Sequence, residues 1–444
     1  MDAREVALLT LNACERQGGW SDGVLKKQIA AAGLDSRDAG LATQLCFGVI
    51  QNRILLDFYL SKFSNIPLRR LEGKVLQALR LGLYQMLFLT RIPHSAAVDQ
   101  SVDLTRTHCK NPRAPGMVNA ILRNLERSLD RLPTIPEDDP AEYYATLYSH
   151  PVWLVRELLE TLGSEGTAAF LQADNSQPPI TAMVNTVKTD LEGALEALQA
   201  EGVHGEPHPW LKNCLVLSRS GSLEELDAFQ KGLFYVQDPA SRLAVLALDP
   251  EPGSKVLDMC AAPGGKSFAA AIKMKDQGEI WSCDLHPHKK TLIQKGAQRL
   301  GLTCIRPQTA DGKVRRPEWE GAFDRVLVDA PCSGLGVIRK KPDIRFKDPE
   351  PLAGLPQVQS AILDNAAGYV KPGGVLVYST CTILERENRA VTDAFLAAHP
   401  EFSRERFLLP GPAGEVSEGQ ITLWPQVHGT DGFYICKLRK DGEA

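Results

Sequence analysis

Two cysteines and one aspartate follow apolar stretches of the chain that predict buried strands. Asp329 and Cys332 come after one such stretch, and Cys381 comes after another. The carboxyl ends of strands in an open α/β sheet form the edge where ligands bind, so these side chains are expected to lie together. A thiolate is a soft nucleophile and a carboxyl group can deliver a proton, a combination that suits covalent catalysis. A lone cysteine at a strand end is more often a buried structural residue. Two such cysteines, beside an aspartate and together with the glycine-containing loop at 260–267, favour a catalytic role.

The loop CAAPGGKS, at residues 260–267, follows a further predicted strand and opens a helix. It ends in the Gly-Lys-Ser of a phosphate-binding P-loop, but that pattern needs a glycine where Cys260 stands, and Pro263 has no amide to donate. An NTPase is therefore disfavoured, and the missing GxGxxG pattern argues against a dinucleotide. The loop residues expected to approach a ligand are Cys260, Ala261, Ala262, Pro263, Gly264, Gly265 and Lys266.

Two more aspartates extend this candidate ligand site. Asp284 ends the next strand, where a carboxylate would accept hydrogen bonds from ribose hydroxyls. Asp311 follows the third strand and is placed to reach an adenine amino group, although an aspartate before a glycine is equally often a turn residue. Asp258, inside the first strand, is expected to be buried and to orient the amides of the loop. A nucleoside ligand without phosphates fits S-adenosylmethionine (AdoMet), which is the predicted cofactor.

Residues 236–440 predict a Rossmann-like α/β domain, because strands alternate with helices. The predicted strands are 254–259, 279–284, 323–330 and 373–380, with a late antiparallel strand at 433–438. The predicted helices are 265–274, 287–300 and 357–370. This domain is expected to carry the chemistry.

Residues 1–140 predict an all-helical domain, because apolar residues recur at helical spacing, as in Val75, Leu79 and Leu83. Residues 1–130 hold 17 Lys+Arg against 12 Asp+Glu, although the whole chain has a formal charge of −4. A local basic surplus is the footprint expected of a site for a polyanion, but a solvated helix face is its commoner cause. Positive charges cluster at Arg69, Arg70, Lys74 and Arg80, and again at Lys110, Arg113, Arg123 and Arg127.

A proline-rich acidic stretch at 131–142 predicts a linker. The segment 141–235 then predicts a small α+β module, with helical stretches at 152–162 and 190–200 and a strand at 179–187. Such a module would link the other two domains or help to hold RNA, and nothing in its sequence demands either role.

The composition, 43% apolar and 23% charged, is that of an ordinary globular protein. The N-terminus does not have the pattern of a signal peptide, and the most apolar stretch is too short to cross a bilayer, so a cytoplasmic protein with no membrane partner is expected. The ten cysteines lack the spacing of metal ligands, so no metal is expected. The chain has no heptad repeat or self-pairing segment, which favours a monomer.

Two resemblances give these patterns a family. The motifs QDPAS (237–241), LDMCAAPGGKS (257–267), VDAPCSGLGVIRKKPD (328–343) and YSTCTILEREN (378–388) resemble, in order, those of the AdoMet-dependent RNA cytosine-5 methyltransferases. The helical region resembles the NusB-like RNA-binding domain, through Arg4, Ala7, LRLGLYQMLF (79–88), IPHSAAVDQSVDL (92–104) and MVNAILRNLER (117–127). Together they resemble the small-subunit rRNA branch of the RsmB/NOP family. The resemblance implies methylation of C5 of an unpaired or flipped cytosine in 16S rRNA.

This reaction gives each candidate residue a role. Cytosine C5 is a poor nucleophile, but a thiolate that adds to C6 converts the ring to an enamine whose C5 can take a methyl group. DNA enzymes use the cysteine of a Pro-Cys motif and the RNA family uses that of a Thr-Cys motif, and this chain has both. The residues alone do not decide between them. The resemblance implies that Cys381 attacks, that Cys332 assists breakdown of the adduct and that Asp329 holds and protonates the cytosine.

Basic residues near the cysteines have expected roles as well. Lys266 is expected to contact the cofactor loop or the target ring. A basic run beside the active-site loop is placed for RNA phosphates, and it comprises Arg339, Lys340, Lys341, Arg345 and Lys347.

Two departures from the family pattern stand out. Met183 occupies a position where arginine is common, which weakens an RNA contact there, and Thr382 replaces a serine. Two alternative functions stay open. One is a DNA cytosine-5 methyltransferase, and the other is a non-catalytic RNA-binding ribosome-assembly factor that keeps AdoMet as a structural ligand.

Overall fold

The computed structural model describes residues 1–17, 21–218 and 221–442. The chain forms two compact units. The first comprises Met1–Ser176 and Ile338–Lys347, and the second comprises Gln177–Val337 and Asp348–Ala444.

The first unit is all-helical, which confirms the prediction from apolar spacing. Its described helices are α1 (Ala3–Gln17), α2 (Ser21–Ala32), α3 (Ser36–Gln51), α4 (Arg53–Phe63), α5 (Gly73–Phe88), α6 (His94–His108), α7 (Ala114–Arg127), α8 (Pro140–Leu147) and α9 (Val152–Asp174). The central helix is α5, in which every residue from 75 to 86 is buried. Close packing needs Gly82 on α5, since a Cβ there would lie 2.5 Å from the Leu122 side chain of α7.

One arginine of the predicted basic cluster belongs to this core and not to the surface. Arg80 is 4% exposed, and it donates to both oxygens of Asp57, at 2.7 and 2.6 Å, and to Glu15 at 3.3 Å. A buried guanidinium is tolerated only when carboxylates compensate its charge. The expectation that Arg80 contributes to a basic surface is therefore wrong, whereas Arg69 and Arg70 are exposed.

The segment 338–347 contributes a 3-10 turn, Pro342–Phe346, to the first unit. Arg345 in this turn is fully buried, and its Nη1 donates to the carbonyl oxygens of Gln51 and Ser149 at 2.9 and 3.0 Å. Its Nη2 donates to Oδ1 of Asn175 at 3.0 Å. The expectation that Arg345 faces RNA phosphates is therefore wrong, because its donors hold the protein's own acceptors.

The second unit begins with a small antiparallel sheet of order β2-β3-β1-β4. Its elements are β1 (Ile180–Val184), α10 (Leu191–Ala200), β2 (His204–Pro207), β3 (Cys214–Ser218), α11 (Asp227–Gln230) and β4 (Phe234–Val236). The sheet and α10 confirm the small α+β module predicted from the sequence, but the helix predicted at 152–162 is part of α9, in the first unit. Met183 is 3% exposed and packs with Cys214 and Tyr235 in a core that includes Phe268. Met183 is thus a core residue, and its side chain is not exposed for contact with RNA.

The rest of the second unit is built on a larger sheet of order β10-β14-β9-β8-β5-β6-β7, with β13 beside β14. Its elements are α12 (Pro239–Leu248), β5 (Lys255–Asp258), α13 (Gly265–Lys273), β6 (Glu279–Asp284), α14 (Pro287–Leu300), β7 (Ile305–Thr309), β8 (Phe323–Asp329), α15 (Pro349–Leu352), α16 (Leu355–Tyr369), β9 (Val370–Thr380), α17 (Arg389–Ala398), β10 (Phe402–Arg404), β11 (Phe407–Leu408), β12 (Glu415–Val416), β13 (Gln420–Leu423), α18 (Pro425–His428) and β14 (Phe433–Lys440).

Strands β5 to β9 run parallel, and β14 pairs with β9 in the antiparallel sense, as predicted. Apolar residues of the helices cover both faces of this sheet. Buried parallel strands of this kind carry near-continuous apolar runs, such as Val326–Val328 in β8. The parallel arrangement brings the carboxyl ends of β5, β6, β7, β8 and β9 to one edge.

The described residues include neither a membrane-spanning helix nor a metal-binding cluster. No helix there is long and apolar enough to cross a membrane. No group of three or more His, Cys, Asp or Glu side chains there is arranged to hold a metal ion.

Candidate active site

The loop after β5 is tightly held. Gly264 has φ +113°, a conformation that suits glycine, and a Cβ there would lie 2.4 Å from the ring of Phe268. The amide of Ala261 donates to the carbonyl oxygen of Cys283 on β6 at 2.7 Å. The loop is therefore fixed against the neighbouring strand, with its glycines at the start of α13.

A buried polar network lies under this loop. Asp258 is 1% exposed, as expected, and its Oδ2 accepts a hydrogen bond from Ser267 Oγ at 2.7 Å. Ser282 Oγ donates to Ser267 Oγ, also at 2.7 Å. Burial raises the pKa of Asp258 to about 7, against the opposing effect of the Ser267 hydrogen bond. Asp258 thus ties β5 to the first turn of α13.

The two other predicted ligand-binding aspartates lie at the same sheet edge, Asp284 as the last residue of β6 and Asp311 just after β7. Asp284 is 6% exposed, and its Oδ1 accepts the amide of His286 at 3.2 Å and lies 3.6 Å from Lys289 Nζ. Asp311 Oδ1 accepts the amide of Lys313 at 2.9 Å, which is the turn role considered as its alternative. Carboxylates at these positions suit the ribose and adenine of a nucleoside.

The lysine of the loop is engaged by a carboxylate. Lys266 Nζ donates to Asp329 Oδ2 at 2.7 Å and lies 3.4 Å from Ser241 Oγ, while Ser379 Oγ donates to Asp329 Oδ1 at 2.9 Å. Burial lowers the pKa of Lys266, but the carboxylate of Asp329 outweighs burial and the net shift is upward. The ammonium of Lys266 is thus already bound to Asp329, which argues against a phosphate-binding role.

The two predicted cysteines meet at the ends of β8 and β9. Their Sγ atoms lie 3.3 Å apart, and both residues are half-buried. The pKa of Cys381 is lowered, chiefly by its hydrogen bond with Cys332, and Lys266 adds to this effect against burial. The pKa of Cys332 is raised by that same hydrogen bond, by burial and by the charge of Glu387. The pair therefore favours a thiolate on Cys381 and a thiol on Cys332.

Several side chains of this site had no role in the sequence analysis. Ser379 contacts Asp329, and Glu387 and Asn388 contact the backbone around the two cysteines. The motif YSTCTILEREN contains all three, but the sequence does not show which cysteine segment each one reaches. Glu387 and Asn388 stand between Arg386 and Arg389 in a charged stretch, so the sequence carries no local signal of their burial.

A parallel sheet with a glycine loop, carboxylates after successive strands and paired cysteines at one edge defines a Rossmann-like methyltransferase. Comparison with known proteins gives the family. The family described as 16S rRNA methyltransferase RsmB/F matches residues 245–439, the NusB family matches 1–127, and the RsmF/B-like ferredoxin-like domain matches 150–224.

Relatives match along the whole chain. The chain is 40% identical to the probable ribosomal RNA small subunit methyltransferase B of Bacillus subtilis (strain 168), over 99% of both chains. It is 33% identical to the ribosomal RNA small subunit methyltransferase B of Klebsiella pneumoniae subsp. pneumoniae, over 92% of this chain and 91% of that one. The solved structure of PH0851 superimposes with a TM-score of 0.81 at 26% identity, over 99% of each chain. The chain belongs to the RsmB/F family of 16S rRNA methyltransferases.

Proposed function

We propose that this protein transfers a methyl group from AdoMet to C5 of a cytosine in 16S rRNA, through a covalent bond between Cys381 and C6. The observation that carries the proposal is the pair of sulfur atoms 3.3 Å apart, beside the hydrogen-bonded Lys266 and Asp329. Methyl transfer to an oxygen or to an exocyclic nitrogen has no need of a thiolate nucleophile. Addition to a pyrimidine C6 does need one.

The cofactor site is proposed from the sheet edge. Residues 260–266 would approach AdoMet through the backbone, Asp284 would accept from the ribose hydroxyls and Asp311 would reach the adenine amino group. The residues present fit this ligand, since the site offers carboxylates and glycine amides and its lysine is already bound to Asp329. When bound there, AdoMet supplies an electrophilic methyl group.

The chain's own residues would activate the base. The thiolate of Cys381 adds to C6 while Asp329 holds the edge of the ring. The ammonium of Lys266, 2.7 Å from Asp329, supplies the proton that Asp329 passes to N3. The C5–C6 double bond is lost and electron density moves to C5, which accepts the methyl group. Solvent water takes the C5 proton, and the N3 proton returns through Asp329 to Lys266. These two losses restore the aromatic ring and expel the thiolate of Cys381.

Cys332 would assist this last step. As the bond between C6 and the sulfur of Cys381 breaks, negative charge returns to that sulfur. The thiol of Cys332, 3.3 Å away, donates to it and stabilises the leaving group. The lowered pKa of Cys381 and the raised pKa of Cys332 support attack by Cys381 with assistance by Cys332.

The RNA-binding part of the proposal rests on the first unit. Arg69 and Arg70 are exposed there, and Lys74 is half-buried on α5 nearby in sequence. Side chains of this kind bind phosphates of any sequence, whereas the target base must be unpaired or flipped to enter the catalytic site.

The test uses unmodified 16S rRNA, labelled AdoMet and four proteins: wild type, Cys381→Ala, Cys332→Ala and, as control, Cys14→Ala in α1. Methyl incorporation and protein–RNA adducts that survive denaturation are measured together, and the methylated nucleoside is identified by mass. We expect Cys381→Ala to lose both signals, Cys332→Ala to accumulate adduct, and the control to match wild type.

Three results would contradict the proposal. If Cys332→Ala loses both signals and Cys381→Ala keeps them, the cysteine roles are reversed. Methylation of duplex DNA without RNA activity would establish the DNA enzyme. Tight AdoMet binding with no methylated cytosine on any ribosomal RNA would establish the assembly factor.

A further inference from the structure

The backbone on both sides of Cys332 is held by two buried side chains. Glu387 is fully buried, and its Oε2 accepts the amide of Ser333 at 2.9 Å and Nε2 of Gln359 at 2.8 Å. Gln359, also fully buried, donates to the carbonyl oxygen of Pro331 at 3.0 Å. The peptide groups before and after Cys332 are thus fixed by one connected pair, and Oε1 of Glu387 is buried without a hydrogen-bond partner.

The next residue holds the other cysteine segment in the same way. Asn388 is 2% exposed, and its Oδ1 accepts from Thr380 Oγ1 at 2.5 Å while its Nδ2 donates to the carbonyl oxygen of Thr382 at 3.0 Å. These two threonines flank Cys381. Ser333 Oγ and Thr382 Oγ1 lie 2.7 Å apart and join the two segments.

We propose that Glu387 and Asn388 are positioning residues that hold Cys332 and Cys381 within hydrogen-bond distance and keep the proton of the pair on Cys332. This inference rests on the proposed function, since it explains which cysteine attacks. Both side chains are buried, and their hydrogen bonds reach the two cysteine segments. Asn388 fixes the segment that carries the nucleophile, and Glu387 fixes the segment of its partner and places a carboxylate beside it.

The charge of Glu387 matters because the groups around the two sulfurs act on them unequally. The titratable groups that face the pair, besides Glu387, are Lys266, Asp329, Tyr378 and Asp431. Asp329 opposes ionisation of both cysteines. Lys266 favours ionisation of Cys381, and Glu387 opposes ionisation of Cys332. Lys266 and Glu387 thus favour the same arrangement, with the thiolate on Cys381.

Two substitutions of Glu387 separate the effect of its charge from the effect of its side-chain length. Glu387→Gln keeps the length of the side chain and its acceptor oxygen but removes the charge. Glu387→Asp keeps the charge but is one methylene too short for the Ser333 amide. Glu385→Gln is the matched control, because Glu385 lies two residues away in the same turn and is exposed.

The first readout is alkylation of the protein alone by iodoacetamide across pH, quantified on separate peptides. Trypsin releases Cys332 in residues 326–339 and Cys381 in residues 348–386. In wild type and in Glu385→Gln we expect alkylation of Cys381 at lower pH than Cys332. In Glu387→Gln we expect the midpoint for Cys332 to fall by about one pH unit or more, which is the usual effect of removing one nearby charge.

The second readout is single-turnover methylation of 16S rRNA. Glu387→Asp is expected to keep the wild-type order of alkylation but to lose about tenfold in turnover with little change in KM for RNA, because misplacement of reacting groups slows chemistry more than binding. Thermal melting of each variant verifies that the second unit stays folded. If Glu387→Gln unfolds, Glu387→Asp alone decides through the same two measurements.

Unchanged alkylation of Cys332 in Glu387→Gln, or full turnover in Glu387→Asp, would overturn the inference. Its failure is distinct from failure of the proposed function. Alkylation needs no substrate, so a shifted Cys332 midpoint in a protein that makes no methylcytosine supports the inference and rejects the function. Normal methylcytosine formation, with no change in the alkylation midpoint of Cys332 in Glu387→Gln, supports the function and rejects the inference.

Discussion

Lys266 Nζ and Asp329 Oδ2, 2.7 Å apart, join the first turn of α13 to the end of β8. The contact places one positive and one negative charge beside Cys381, where they act in opposite directions on its thiol. Because Lys266 is 11% exposed at its side chain, its charge is only partly screened by solvent. The balance at Cys381 therefore depends on this lysine.

Replacing Lys266 by methionine is expected to make the Cys381 thiolate harder to form. Ionisation of a thiol increases with pH, so loss of a nearby positive charge moves the alkylation midpoint of Cys381 upward, by about one pH unit. Adduct formation with 16S rRNA at neutral pH should fall by about tenfold or more. Lys273→Met, on the same helix and paired with Asp249, is the control. An unchanged midpoint for Cys381 would remove Lys266 from thiolate stabilisation.

Asp258→Asn tests the buried network under the loop. The pKa of Asp258 is raised by burial to about 7, so the folded protein binds a proton more tightly than the unfolded chain does. The stability that this proton confers is fully present below about pH 4 and is lost as pH rises to about 7. Asparagine does not titrate, so Asp258→Asn does not lose stability in this way. The free energy of unfolding of Asp258→Asn relative to wild type should therefore be higher at pH 8 than at pH 5, by a few kcal/mol.

Chemical denaturation of wild type and Asp258→Asn at both pH values is the measurement. Other titrating groups contribute equally to the two proteins, so only the difference between them is informative. A constant difference from pH 5 to pH 8 would mean that Asp258 is ionised in the folded state throughout.

The sequence predicted the large sheet well because its signals are local. Alternation of strands and helices located β5, β6, β8, β9 and β14 to within a few residues, and α14 at its observed ends. The predicted proximity of Asp329, Cys332 and Cys381 followed from strand direction alone. The 3.3 Å sulfur contact and the opposite shifts of the two thiols depend on side-chain placement, which periodicity does not encode.

The basic residues show where charge patterns fail. Arg80 and Arg345 lie in positive runs of the sequence, but both are buried. Their partners can be distant along the chain, since Arg345 donates to the carbonyl oxygen of Gln51. A local pattern cannot distinguish a solvated arginine from one that satisfies buried acceptors. The domain boundaries predicted at residues 140 and 235 stay predictions, as do the ligand roles of Asp284 and Asp311.

Arg345→Met is expected to destabilise the first unit. Burial lowers the pKa of this guanidinium to about 10, so it remains charged at neutral pH and binds two carbonyl oxygens and Asn175 Oδ1. Its loss leaves these buried acceptors unpaired, at a cost of about 3–5 kcal/mol. Thermal melting measures the effect, and Lys341→Met, exposed in the same segment, is the control. Equal melting of the two variants would contradict a structural role for Arg345.

The double variant Arg69→Ala, Arg70→Ala tests RNA binding by the first unit. Both side chains are exposed, so their removal should leave the melting temperature unchanged. If each arginine neutralises one phosphate, the slope of log affinity for 16S rRNA against log salt should fall by about two. Lys26→Ala, Lys27→Ala on α2 removes the same charge from another exposed position. Equal slopes for the two double variants would mean that the affinity depends on net charge and not on a defined patch at Arg69 and Arg70.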